Sequence, residues 1–293
     1  TTRRFAVITD SAADIADEDM ERLDIHMVPC RLQFGERGYI DKVSISTQEF
    51  YTELVTNPTH PTTSQPAPGD FRRQFQFLAS HYPDVLSINL AGAVSGTLEA
   101  ARAAAGRTNA PGNVHVIDSV NASVGQGLLV VFAAECAAAG RDVASTMAAV
   151  KRLVPATRTF GLLENLDFAV RGGRIPQWAG RLTRLIMATP ISHTSPAGRV
   201  SLSGLFVGKR QRVKRFVRHV ARRVDAATPI NVAIGYSTNP DDVPAIETEL
   251  RRRLPGIQRI SVAELGSALG VHGGPGLLIV ATQPVVSTQA DEA

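Results

Sequence analysis

The amino-acid sequence predicts an α/β protein of two domains, with a mostly parallel sheet in the N-terminal domain and an α+β arrangement in the C-terminal domain. Strand-like and helical patterns alternate through the first half of the chain, as they do in sheets covered by helices. After Pro155 the order is less regular and the connections are longer. The 293 residues, 44% of them hydrophobic, suffice for two domains or for one large domain with a substantial core. We therefore predict domains at residues 1–155 and 156–293.

The N-terminal elements follow from apolar periodicity and from residues that favour helix starts. Ser46, with Glu49 three residues later, forms a capping box and predicts a helix that begins at Thr47. The predicted strands are Phe5–Thr9, His26–Phe34, Val85–Leu90 and Val114–Ile117. The predicted helices are Glu18–Leu23, Thr47–Thr56, Phe71–His81, Gly96–Ala105, Val124–Ala139 and Val143–Val154.

In the C-terminal half the more irregular order of elements and the longer connections predict an α+β domain. The predicted strands are Thr159–Leu163, Val200–Phe206, Ile230–Tyr236, Ile257–Ser261 and Gly276–Ala281. The predicted helices are Arg210–Asp225 and Asp242–Leu254.

Composition and charge argue against several classes of function. The net charge of +4 comes from 31 basic and 27 acidic residues, a near balance that does not favour nucleic acid. Cys30 and Cys136 have no metal-ligating spacing, and this cysteine usage is typical of a reducing compartment. Apolar stretches such as Leu128–Ala139 are too short to span a bilayer, and no signal-peptide pattern precedes the first strand. We expect a soluble cytoplasmic protein without a metal site.

The segment Thr62–Phe71 is the first candidate for ligand contact. It combines small hydroxyls, a side-chain amide and two prolines directly before an amphipathic helical pattern. The prolines limit how far the loop can flex. Helix N-termini present unpaired N–H groups and a partial positive charge, which suit a carboxylate or a phosphate. The segment therefore predicts a loop that holds an anion.

A second polar loop follows the predicted strand Val85–Leu90. Ser95 and Thr97 lie here between a strand and a helix, at the strand end where open parallel sheets bind ligands. Ser95 could be a helix N-cap alone or also a ligand contact, and the sequence leaves both open. For Gly125 and Gly127, which follow the next strand, tight packing and ligand contact are both open interpretations.

Two glycine-rich segments in the second half carry side chains that suit an anion. Arg171-Gly172-Gly173-Arg174 is a turn with two guanidinium groups, which bind carboxylate or phosphate but in turns are commonly solvated. Gly266–Gly276 surrounds His272 with glycines, which let the backbone approach another group closely. A site and a purely structural role are both open for Arg174 and His272.

The basic stretch Lys209–Arg223 contains no acidic residue. Its apolar residues recur at helical spacing, so an amphipathic helix with a solvated basic face is the simplest interpretation. Docking to an acidic partner or to a membrane surface is the alternative.

Six motifs occur in a fixed order along the chain. They are Ile8-Thr9-Asp10-Ser11-Ala12-Ala13-Asp14, Thr63-Ser64-Gln65-Pro66 with Pro68, Asp70 and Phe71, Ser95-Gly96-Thr97, Ile117-Asp118-Ser119, Arg171-Gly172-Gly173-Arg174-Ile175, and His272-x-Gly274-Pro275-Gly276. Together they resemble the DegV family of bacterial fatty-acid-binding proteins, over nearly the whole chain.

The resemblance implies a DegV-like fold with one acyl chain, such as palmitate, stearate or oleate, in an apolar tunnel between the two domains. It implies that Thr63, Ser64 and Ser95 hold the carboxylate, and that Arg174 and His272 lie near the tunnel mouth. It further implies a protein without cofactor or catalytic activity of its own. The partner would be a separate ATP-dependent fatty acid kinase, a dihydroxyacetone-kinase-like protein that forms acyl phosphate for phospholipid synthesis. Membrane contact would be at most transient.

Two other classes of function stay open at this point. A serine hydrolase would use Ser95 and His272, but the chain has no nucleophile elbow and no obvious acid partner. A nucleic-acid-binding module would centre on Lys209–Arg223, although one Trp and few other aromatic residues argue against base stacking.

Overall fold

The computed structural model describes residues 3–109, 113–173, 177–185 and 187–289. Its strands are β1 (Phe5–Asp10), β2 (His26–Val28), β3 (Arg31–Phe34), β4 (Arg37–Ile40), β5 (Thr62–Ser64), β6 (Asp84–Asn89), β7 (Val114–Asp118), β8 (Arg158–Leu162), β9 (Ala188–Thr194), β10 (Val200–Val207), β11 (Ile230–Tyr236), β12 (Ile257–Glu264) and β13 (Leu278–Pro284).

The helices lie on both faces of the sheets and between them. They are α1 (Asp17–Arg22), α2 (Thr47–Thr56), α3 (Pro68–Ala79), α4 (Thr97–Ala105), α5 (Ser123–Ala138), α6 (Val143–Leu153), α7 (Asp167–Arg171), α8 (Gln177–Leu185), α9 (Arg212–Ala221), α10 (Val243–Arg253) and α11 (Ser267–Gly273). In the described part of the chain, no helix is both long enough and apolar enough to cross a membrane.

The N-terminal half contains a four-stranded sheet in the order β2-β1-β6-β7, and every neighbouring pair is parallel. The buried side chains of β1 point alternately to two cores: Val7 packs with α5 and α6, whereas Ile8 packs with α3 and α4. Helices cover both faces, as a parallel sheet requires. The predicted parallel α/β arrangement is confirmed.

The second sheet has six strands in the order β10-β9-β8-β13-β11-β12 and is mostly antiparallel, with one parallel pair, β11 and β12. One of its faces packs against α9 and α10 through residues such as Phe216 and Leu250. The apolar side chains predicted for the basic stretch (Val213, Phe216, Val217, Val220) are buried there. The α+β arrangement is confirmed, and all six strands follow residue 155.

Helix α5 lies between the two sheets. Its side chains contact β1 and β6 on one side and β11 and β13 on the other. From Val124 to Ala134 every residue is buried, which matches the almost uninterrupted apolar sequence of this helix. The division predicted at residue 155 stays a prediction, because the halves on either side of it share this helix.

The structure corrects the prediction of one extended run over His26–Phe34. The run is two strands, since β2 pairs with β1 in the parallel sheet whereas β3 pairs with β4 and β5 in a separate antiparallel sheet. The chain changes sheets at Cys30, whose N–H donates to Ser11 Oγ over 2.9 Å. Two further differences concern function: Thr62–Ser64 is the strand β5, and His272 lies on the helix α11.

Candidate functional site

A cavity of about 720 Å³ lies between the six-stranded sheet and loops of the N-terminal half. Its floor is one face of four neighbouring strands, β13, β8, β9 and β10. Residues of α7, α8 and α11, of β5 and of the loop between β6 and α4 contribute to the rest of the wall. The volume falls in the range of small-molecule sites, roughly 300–1,000 Å³.

Four of the five predicted site residues, Thr63, Ser64, Ser95 and His272, line this one cavity. They come from β5, from the loop before α4 and from α11, and α11 packs against β5. Arg174, the fifth, lies outside the described residues. The structure thus brings together side chains that are more than 200 positions apart in the sequence.

Glycines allow the predicted motifs to fit against one another. A Cβ atom on Gly96 would lie 2.3 Å from Gln65 Oε1, so the loop after β5 rests directly on the start of α4. A Cβ on Gly172 would lie 2.2 Å from His272 Nδ1, so the imidazole rests on the turn that precedes Arg174. A side chain at either position would displace the Gln65 amide or the His272 imidazole from where it lies now.

The hydroxyl of Ser95 is oriented by its own loop. Ser95 Oγ accepts a hydrogen bond from the backbone N–H of Thr97 over 3.2 Å and lies 2.9 Å from Thr97 Oγ1. Helix α4 begins after Gly96, which offers no side chain to cap it. The first turn of α4 therefore directs N–H groups and a partial positive charge toward Ser95. This helix start, rather than that of α3 as the sequence suggested, adjoins the cavity among the described residues.

A buried carboxylate that the sequence left without a role positions this loop. Asp10, at the end of β1, is fully buried. Its Oδ2 accepts hydrogen bonds from Leu90 N over 2.8 Å, Gln126 Nε2 over 3.2 Å and Asn89 Nδ2 over 3.3 Å. Burial raises the pKa of this carboxyl, and the hydrogen bonds to it act in the opposite direction. Asp10 thus connects the end of β6, which precedes the loop with Ser95, to the helix α5.

A second buried network holds the start of α11. Asp14 Oδ1 accepts from Gly266 N over 2.9 Å and from Lys42 Nζ over 3.1 Å. Asp41 Oδ1 accepts from Ser267 N over 3.2 Å and from Ser267 Oγ over 2.6 Å. These contacts join the N-terminal half to the helix that carries His272. Asp14 is the last residue of the first family motif, which gave it no role in the predicted site, and nothing local marked Asp41.

Sequence reasoning also missed several residues of the cavity wall. Thr97 and Gln65 belong to motifs that were recognised but lay outside the predicted site. Ser192 lies on β9, a strand that was not predicted, and Trp178 lies on the unpredicted helix α8. Gly125 is explained by packing, because a Cβ there would lie 1.9 Å from Thr159 Oγ1.

The cavity wall is mostly apolar, and the polar groups of its described residues carry no formal charge. Among the described residues its lining includes no Asp, Glu, Lys or Arg side chain, and its polar groups are those of Ser, Thr, Gln, Cys, His and Trp. Cys30 also lines it, and burial raises the pKa of that thiol well above its usual range, so it is not a ready nucleophile. The described residues contain no cluster of three or more His, Cys, Asp or Glu side chains able to hold a metal ion. Neutral donors and a helix start are suited to one carboxylate at the end of an apolar body.

Comparison with known proteins gives full-length matches. The DegV family, described as uncharacterised proteins, matches residues 4–284. A DegV domain-containing protein of Deinococcus radiodurans is 30% identical over 282 residues, which cover 96% of this chain and 99% of that protein. Protein DegV of Bacillus subtilis is 27% identical over 278 residues, 94% of this chain and 97% of that protein.

Solved structures agree with the fold over its whole length. A DegV family protein from Thermus thermophilus, described as binding fatty acid, superimposes with a TM-score of 0.87 at 30% identity and covers 96% of this chain and 100% of its own. DegV from Bacillus subtilis, described as a fatty acid binding protein, gives a TM-score of 0.84 at 25% identity, with 97% and 100% covered. On the family match and these relatives, the chain belongs to the DegV family.

Proposed function

We propose that this protein binds one long-chain fatty acid, such as palmitate, stearate or oleate, in the cavity on the six-stranded sheet. The observation that carries the proposal is the meeting of Thr63, Ser64, Ser95 and His272 in one cavity whose floor includes Leu163, Leu277 and Ile279. The description of the Thermus and Bacillus proteins as fatty acid binding supports it. The hydroxyls and His272 hold the carboxylate, together with Arg174 from the adjoining motif.

The energetics favour tight binding. Burial of about fourteen methylene groups contributes on the order of 10 kcal/mol, at roughly 0.8 kcal/mol each. Lost translational and chain freedom costs several kcal/mol, which leaves sub-micromolar affinity within reach. The carboxylate then needs only hydrogen bonds that replace those it made with water, and α4 and Ser95 supply donors of this kind.

We further propose that the protein is a carrier, which presents the carboxylate to a separate ATP-dependent fatty acid kinase in the cytoplasm. The acyl phosphate formed there would enter phospholipid synthesis. Two features support presentation of the carboxylate rather than its full enclosure. Ser64 and Gln65 line the cavity and are also exposed to solvent. Arg171 is exposed next to Gly172, against which the His272 imidazole rests. The family resemblance supplies the kinase as the partner.

The surroundings of Ser95 support binding over hydrolysis. A catalytic serine needs a general base on its hydroxyl, whereas the hydrogen bonds of Ser95 Oγ among the described residues are with Thr97, which is not basic. We therefore expect no turnover of activated esters by the purified protein, and burst release of a chromogenic leaving group would revive the hydrolase alternative.

The binding proposal is tested on the purified protein directly. Organic extraction followed by mass spectrometry is expected to release one C16–C18 acid per chain, and the delipidated protein should take up palmitate or oleate in a calorimetric titration. Absence of any acyl chain after extraction, together with no uptake of added acid, would overturn the proposal.

The carrier role needs a separate experiment with a fatty acid kinase and ATP. Loaded protein should support acyl-phosphate formation, and Arg174→Ala should lower that rate at least as much as it lowers fatty-acid binding. If Arg174→Ala leaves both unchanged, the role proposed for this arginine is wrong even when the wild type binds fatty acid.

A further inference from the structure

A glycine lies at the centre of the cavity floor. Gly161 is on β8, and its partners on the two neighbouring strands are Ile279 of β13 and Ser192 of β9. Two residues before and after it in sequence, on the same face, are Thr159 of β8 and Leu163, which directly follows β8. All four of these residues line the cavity, and so does Gly161 itself. The floor therefore surrounds this one position on every side.

A side chain at position 161 would point into the cavity. Phe160 and Leu162, on either side of it in sequence, belong to the core beneath α9 and α10 on the opposite face of the sheet. A Cβ atom on Gly161 would lie 2.7 Å from Ser192 Oγ and 3.7 Å from Leu277 Cδ1, both of which belong to lining residues. A larger side chain at this position would thus occupy the middle of the cavity.

Packing within the protein does not by itself require glycine here. The close atom is the end of a short side chain, and its one hydrogen bond among the described residues, to Gly161 O, is 3.4 Å long. Rotation of Ser192 would make room for a methyl group. Glycine in the interior of a strand weakens the strand, and it commonly marks a place where a ligand approaches the backbone closely.

We propose that Gly161 determines the length of acyl chain that the cavity admits, an inference that rests on the proposed fatty-acid binding. A chain that starts at the carboxylate end crosses the bare backbone of Gly161 to fill the far half of the cavity. A branched side chain at residue 161 closes that passage and leaves only the half near the carboxylate end.

The test measures dissociation constants for saturated acids from decanoate to stearate, with delipidated wild type, Gly161→Ala and Gly161→Val. With Gly161→Val, we expect the Kd for palmitate and stearate to rise about tenfold or more, as overpacking of a filled space predicts, and the Kd for decanoate to stay within about threefold. The Kd of Gly161→Ala for palmitate and stearate should lie between the values of the wild type and of Gly161→Val, because Ser192 can rotate away from one methyl group.

Two further variants separate the passage from folding. Ser192→Val places bulk in the same central space from the neighbouring strand, and it should shift the chain-length profile in the same direction even if Gly161→Val does not fold. Gly38→Val puts the same change on β4, where the glycine is exposed, lies outside the cavity lining and would meet only the end of the Gln33 side chain. It should keep the wild-type profile.

The outcomes distinguish this inference from the function on which it rests. A profile of folded Gly161→Val and Ser192→Val that matches the wild type overturns the role of Gly161 and leaves fatty-acid binding intact. A wild type that binds no acid of the series overturns the proposed function, and this inference with it. Loss of the long acids alone supports both.

Discussion

Among single residues, Ser95 carries the clearest expectation for the proposed carboxylate site. Ser95→Ala removes a hydroxyl that Thr97 holds in place beside the start of α4. A hydrogen bond to a charged group contributes about 1.5–3 kcal/mol, so the Kd for palmitate should rise about 10- to 100-fold by calorimetry. Ser80→Ala, which removes an exposed hydroxyl that donates to Phe77 O, is the matched control and should bind normally. Equal affinities for the two variants would contradict the role of Ser95.

His219 carries an expectation about pH. Its Nε2 lies 2.7 Å from Ser203 Oγ, and burial, Arg223, His193 and Arg222 lower its pKa to about 4. The unfolded-state pKa is near 6.5, so the folded state disfavours the proton. The stability contributed by neutral His219 is therefore present above pH 6.5 and is lost as the pH falls toward 4.

Thermal unfolding between pH 7.5 and pH 4 checks this expectation. His219→Gln keeps a partner for Ser203 but cannot take up a proton, so its Tm should fall less steeply with acid than that of the wild type. Parallel Tm curves would show that other groups account for the acid sensitivity.

At the scale of elements, α11 depends on the N-terminal half for its position. Asp41→Ala removes the acceptor of two hydrogen bonds from Ser267 in a buried site, which should lower the free energy of unfolding by about 1–3 kcal/mol. Because His272 lies on the same helix, fatty-acid affinity should fall as well. Asp41→Asn keeps an acceptor oxygen and should retain most of both. An Asp41→Ala variant that loses stability but keeps its fatty-acid affinity would show that binding does not depend on the position of α11.

The elements differ in how far the sequence alone could predict them. The helix Thr47–Thr56 was predicted with its capping box, since Ser46 and Glu49 contact each other within one turn. Helix α9 was predicted from the spacing of its apolar residues, although its ends lie inside the expected range. Strand β9 and the helices α7, α8 and α11 were not predicted. They are short or rich in small residues, and their positions depend on contacts with other elements, such as α7 with α11 and α11 with β5.

For the whole molecule, the ligand should stabilise the fold. The cavity wall combines residues of both halves, so a bound acid links them and binds the folded state alone. At a free concentration of one hundred times Kd, this linkage adds about 2.7 kcal/mol to the free energy of unfolding. Delipidated protein should therefore melt at a higher temperature when palmitate is added, and palmitic acid methyl ester, which lacks the charge, should have a smaller effect.

The shared helix α5 leads to an expectation about the predicted domain boundary. Val124 and Leu128 of α5 pack with Ala233, Leu265 and Ile279 from beyond residue 155. A fragment of residues 1–155 would expose this apolar face to water. We expect the fragment to bind a hydrophobic dye and to associate in gel filtration, in contrast to the full chain. A monomeric fragment with cooperative unfolding would instead show that residues 1–155 fold as an independent domain.

The sequence by itself determined the alternation that produces the parallel sheet, the polar loops at strand ends and the candidates Thr63, Ser64, Ser95 and His272. The alternation and the polar segments follow from local rules of periodicity, capping and turn chemistry, whereas the family resemblance selected these four residues and Arg174 as the site and added the fatty acid. Only the tertiary structure decided that β5, the loop that carries Ser95 and the helix α11 meet in one cavity, that Asp10 holds that loop, and that Gly161 lies at the centre of the floor. The pairing of β13, β8 and β9 brings Ile279, Gly161 and Ser192 side by side. Register between strands so far apart is set by the packing of the whole core, which no local pattern encodes.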